Sequence, residues 1–104
     1  MTRQLRVEVG PHAPQLCVQA YDLTVAECEV LRGVVTNNWS DSTDYQLKRG
    51  CDAFLQGYQP PRVGERNGWV LIEFWTDDRS KIDAFVEHLN QRLAAEELLA
   101  NAAR

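Results

Sequence analysis

Few residues of this chain are of a type that could do chemistry, and their spacing decides how far each can be taken. His12 lies in the proline-bounded stretch Gly10-Pro11-His12-Ala13-Pro14. An imidazole in a loop can act as a base or a ligand, but a solvated turn residue needs neither role. His88 follows Glu87 and points sideways from the apolar stripe of its segment, which places it at a rim or surface. Cys17, Cys28 and Cys51 match no zinc or thioredoxin-type separation. Cys28 and Cys51 fall on apolar faces and read as small buried hydrophobes, whereas the strand face of Cys17 is polar. The sequence therefore predicts no metal site and no cofactor.

The acidic clusters are explained by local structure. Asp77-Asp78 could hold a divalent cation, yet acids where a helix begins serve as caps and meet the helix dipole. Asp41 and Asp44, among Ser40, Ser42 and Thr43, read the same way, as a turn and a helix start. Gly64-Glu65-Arg66-Asn67-Gly68 has two glycines but no lysine followed by Ser or Thr. It also precedes a strand, so it is no phosphate loop. Glu73 is more distinctive: one acid on an apolar strand, between Trp69, Leu71 and Trp75. Such a carboxyl suits acid–base work unless it is paired. Arg6, across the sheet, is the expected partner.

The elements that must position these residues follow from apolar periodicity. Residues 4–9 and 15–21 alternate and are joined by the Gly-Pro loop, which suggests an antiparallel hairpin. Residues 69–76 form a third strand, rich in β-branched and aromatic residues. Thr24 and Glu27 fit a capping box that opens a helix over about 24–38. Its stripe is Val25, Cys28, Leu31, Val35 and Trp39, and Gly33 inside it costs about 1 kcal/mol relative to alanine. A second helix is expected over 43–56, with Leu47, Cys51, Phe54 and Leu55 inward and Gly57 closing it. Asn67-Gly68 reads as a hairpin turn, in which case 62–66 is a charged edge strand. The last helix is expected over 79–97, with Ile82, Phe85, Val86, Leu89 and Leu93 inward. The alanine-rich stretch 94–104 is set apart as a tail, free to fray or to meet a partner.

These elements make one α+β domain over 1–104: an antiparallel sheet of three or four strands with three helices on one face. One sheet face collects Leu5, Val7, Val9, Leu16, Val18, Ala20, Val70, Ile72 and Phe74, all apolar. From these, Val7, Val18, Ile72, Phe85 and Leu89 are expected to share one core. The other face collects Arg6, Glu8, Cys17, Gln19, Tyr21, Trp69, Leu71, Glu73 and Trp75. Aromatic residues among charges are the composition of contact surfaces. The sequence thus points to a non-catalytic protein that self-associates as a homodimer, or binds a protein partner, through Tyr21, Trp69, Leu71 and Trp75 with Arg6, Glu8 and Glu73. A ligand-binding or minor enzymatic pocket lined by Trp69, Trp75 and Glu73 is the alternative. Cover from the 57–67 loop or the tail would make the face ordinary core.

The formal net charge is −4, which disfavours a nucleic-acid partner. The absence of a long apolar run argues against a membrane span and a secretory leader. With an odd number of cysteines, that reads as reduced thiols in a cytoplasm.

Overall fold

The computed structural model describes residues 4–102. Four strands, β1 (Glu8–Val9), β2 (Leu16–Leu23), β3 (Ala53–Gln59) and β4 (Gly68–Phe74), form one sheet in the order β1-β2-β4-β3, with every neighbouring pair antiparallel. Three helices, α1 (Val25–Thr36), α2 (Thr43–Gly50) and α3 (Arg79–Ala102), lie over one face. No helix of the described residues is long and apolar enough to cross a membrane.

The expected core is present. Val18, Ile72, Phe85 and Leu89 belong to one buried cluster, and Val7 packs against it half-buried. Phe85 stands edge-on to Phe74 at 6.1 Å between ring centroids. Val9 is the exception on its face, at 63% exposure, because β1 ends there. The segment before β1 makes no ladder: the Leu5 N–H donates to Asn90 Oδ1 (2.8 Å), and Asn90 Nδ2 donates to the Leu5 carbonyl (3.3 Å). A helix side chain thus substitutes for a neighbouring strand.

The Thr24–Glu27 capping box forms as expected. However, α1 ends at Thr36, which leaves Trp39 exposed, and Val25 at the first turn is also exposed. The largest correction concerns 43–56. Helix α2 stops at Gly50, and Asp52 takes φ 48°, a left-handed conformation that no helix continues through. Ala53–Gln59 is then a strand. Its alternation escapes notice because Gln56 is an extra residue: Leu55 pairs with Ile72, while Gly57 pairs with Leu71. A bulge of this kind breaks the period of two. Residues 62–66 are no strand; they are part of the connection, where Glu65 N–H donates to the Arg62 carbonyl at 2.9 Å. Gly68 is the first residue of β4, where a Cβ would come within 2.6 Å of both Cys28 Sγ and Pro61 Cδ. Close approach, rather than a turn, requires glycine there. Helix α3 runs past 97 to Ala102, although burial stops at Leu93 and both Leu98 and Leu99 are exposed. At its start Asp78 accepts from Ser80 Oγ and Lys81 N–H, the capping role expected of it. The Ser80 hydrogen bond holds the Asp78 carboxyl below its usual range.

Asp44 does more than start a helix. It is buried and accepts from Arg92 at 2.8 and 3.0 Å and from Asn37 at 3.1 Å, with His88 Nε2 at 2.5 Å. One carboxylate therefore ties α2 to α3 and to the end of α1. Burial pushes its pKa up, but the hydrogen bonds from His88, Asn37 and Arg92 outweigh burial and hold it below 3.8. The depressed value means stability that is fully present above 3.8 and lost as pH falls through the folded-state value. Asp44→Asn is therefore expected to flatten the acid limb of the stability profile, as read by urea unfolding across that range. Phe85→Ala is expected to cost about 3–5 kcal/mol; a denaturation midpoint unmoved by it would contradict the assigned core face.

Candidate functional site

The helices leave the second sheet face to the loops and to solvent. Strand geometry puts Trp69, Leu71, Glu73 and the following Trp75 on one side of β4. Ladder partners extend that face outward: Cys17 and Phe54 flank Glu73, Gln19 and Gly57 flank Leu71, and Gln59 pairs with Trp69. Glu8 pairs with Cys17 at the far edge.

Half of this face is roofed. The loop between β1 and β2 folds over it, and its Ala13–Pro14 peptide is cis. Gly10 lies directly on Cys17, since a Cβ there would come within 2.4 Å of Cys17 Sγ. Two residues on, His12 Nδ1 stands 2.9 Å from Glu73 Oε2. Glu73 is only 1% exposed, whereas the His12 side chain is 51% exposed. The imidazole donates through Nδ1 to a carboxylate that can only accept. A carboxylate cut off from water needs such a donor.

This corrects two expectations. His12 is no free turn residue, and Arg6 does not bridge to Glu73. Arg6 is exposed elsewhere, lining a groove of about 360 Å³ between residues 4–7 and α3, beside Asp83 and Glu87. The alternative in which 57–67 covers the face is not realised either, since 57–59 belong to β3. That connection turns toward α1, where Pro61 abuts Cys28 across Gly68 and Arg66 lies 3.7 Å from Glu27. Helix α3, which includes most of the stretch set apart as a tail, packs on the helical side, through Phe85 on Phe74 and the Asp44 ion pairs.

Cys17 is fully buried beneath the loop, as Cys28 and Cys51 are within the core. Burial raises the Cys17 thiol above its ordinary value; the Gln19 hydrogen bond opposes this and the nearby Glu8 and Glu73 add to it. Burial pushes Cys51 up to about 11. These thiols stay protonated at neutral pH and make poor nucleophiles. Among the described residues no group of three or more His, Cys, Asp or Glu side chains could hold a metal ion.

The other half of the face is open, along the β3–β4 margin. Trp75 is 69% exposed and meets Phe54 edge-on at 5.0 Å. Leu71 is half-buried, and Trp69 is half-buried with its ring beside Gly57. Across on β2, Tyr21 is exposed and its hydroxyl donates to Gln19 Oε1. Of the residues expected to form an interaction surface, Trp69, Leu71 and Trp75 thus form a strip along β4 that is interrupted at the buried Glu73, with Tyr21 across on β2. Glu73 and Glu8 belong to the roofed half. Phe54, assigned to a helix by the sequence reading, completes the strip.

Comparison of the chain with protein-family models, curated proteins and solved structures found no match.

Truncating His12 to alanine leaves the buried carboxylate without its donor and is expected to lower stability by about 1–3 kcal/mol. Adding Glu73→Leu to that variant removes the stranded charge and is expected to restore most of the loss. Urea unfolding of both variants checks the pair; a His12→Ala midpoint equal to wild type would show that the imidazole does not sustain the carboxylate.

Proposed function

We propose that this chain is a cytoplasmic protein-interaction module that self-associates as a homodimer through the open strip of its second sheet face. The observation that carries the reading is the exposure of Trp75 beside Phe54, with the half-buried Leu71 and Trp69 further along the same face of β4, on a sheet whose helices all lie on the opposite side. Clustered aromatic area of this kind is costly in water, at about 25 cal/mol per Å² of apolar surface. A two-fold contact between identical patches is the commonest way for one gene product to remove it. Three buried free thiols fit a reducing compartment.

The alternative of a ligand pocket lined by Trp69, Trp75 and Glu73 draws less support. The carboxyl that would give such a pocket its chemistry is sealed beneath His12. What remains accessible is aromatic and aliphatic, which suits association.

The test is the solution mass of wild type against Trp75→Glu, by sedimentation or light scattering. Trp75 is largely exposed, so the variant retains the fold, which circular dichroism verifies. Wild type is expected to dimerise at tens of micromolar. The variant is expected to dissociate about 30-fold or more readily, the effect of a hot-spot residue worth ~2 kcal/mol. A wild type that remains monomeric throughout that range would overturn the reading.

A further inference from the structure

The loop between β1 and β2 is pinned firmly at its ends and lightly in the middle. Upstream, Asn90 holds the backbone of Leu5 through both polar atoms of its amide. Downstream, β2 is laddered to β4 from Leu16 onward. Between these anchors, β1 is two residues long and Val9 in it is exposed. Residues 11–14 are all exposed. Among the described residues, the one polar contact that 11–14 make with another element is His12 Nδ1 on Glu73 Oε2. The Gln15 N–H on the His12 carbonyl is internal to the loop. A segment with so few buried contacts opens locally at far less cost than the whole fold. Glu73 adds a force in the same direction. Its carboxylate has given up hydration for a single donor that is itself half in water, an exchange that recovers little of the desolvation cost. Lifting the loop returns water to the carboxylate.

We propose that residues 10–15 form a lid, latched by His12 on Glu73, that opens while the sheet and core stay folded and so uncovers Cys17 and Glu73 beside the aromatic strip. The buried charge drives opening and the imidazole resists it. With the lid lifted, the sheltered half of the second face joins the open half. This goes beyond the self-association reading and does not depend on it. Cys17 is the reporter that the fold supplies. Gly10 lies so close over it that a single added carbon would come within 2.4 Å of Sγ, so no reagent reaches the sulfur until the lid lifts. Cys28 and Cys51 are equally buried but belong to the core cluster, which the lid does not cover.

The experiment alkylates the folded full chain with iodoacetamide at mildly alkaline pH, across urea concentrations below the unfolding transition. Peptide mass spectrometry assigns a rate to each cysteine. Cys17 is expected to react about tenfold or more faster than Cys28 and Cys51, at a rate nearly independent of urea, because lid opening exposes little surface. The two core thiols are expected to react at rates that climb with urea, as global unfolding does. His12→Ala strands the carboxylate only while the lid is closed. It is therefore expected to speed Cys17 about tenfold, with the independence of urea retained. Adding Glu73→Leu removes the charge that drives opening and is expected to return the Cys17 rate toward wild type. A Cys17 that matches Cys28 and Cys51 in rate and in urea dependence opens only with the whole fold, which would overturn the lid. A Cys17 rate that is fast and independent of urea, yet unmoved by His12→Ala, would overturn His12 as the latch.

Discussion

Glu73 is the centre of the arrangement on the second face. It sits on β4, an inner strand, with β2 and β3 on either side, and it is shielded from water almost entirely. A carboxylate in that position is tolerated only with a donor, and the chain brings one from above, on the loop between the first two strands. That requirement fixes where the loop lies. Gly10 must then pass close over Cys17, which buries a thiol on the polar side of the sheet and removes it from solution chemistry. The loop in turn decides which part of the face stays open. Cover over β1 and β2 leaves the β3–β4 margin to Phe54, Trp69, Leu71 and Trp75.

The helical side is organised by a second buried carboxylate. Asp44, on α2, takes bonds from Asn37 at the end of α1 and from His88 and Arg92 on α3, so the three helices are joined by polar contacts as well as by the core beneath them. The two carboxylates differ in the number of their partners. Arg92 and His12 are both about half exposed, and water screens what each contributes. Asp44, however, also has Asn37 and the largely buried His88, whereas among the described residues Glu73 has His12.

Features whose partners are close in sequence were legible from it. The Thr24–Glu27 box needs residues three apart, and the stripe from Ile82 to Leu93 needs a single helix. The alternation in β2 and β4 likewise gave both sheet faces, including the aromatic strip on β4. Features that depend on distant partners were not legible. His12 and Glu73 are 61 positions apart, and Leu5 and Asn90 are 85 apart; neither residue type announces its mate. Strand β3 was hidden for a local reason. Asp52 supplies a left-handed stop without glycine, and the extra residue at Gln56 shifts the alternation halfway, so the remaining apolar residues imitate a helical stripe.

The two margins of the sheet are unequal. On the β1 side the ladder is two residues long, and the segment before it is already engaged by the amide of Asn90, which meets the backbone of Leu5 as another strand would. Only β3 presents a long unsatisfied margin among the described residues. A sheet open on both sides can add copies without limit and grow into a fibre, because each addition leaves a fresh edge. A sheet open on one side exhausts itself after a single symmetric union. The Asn90 side chain engages the chain just before β1 and so shortens what that margin offers a further strand.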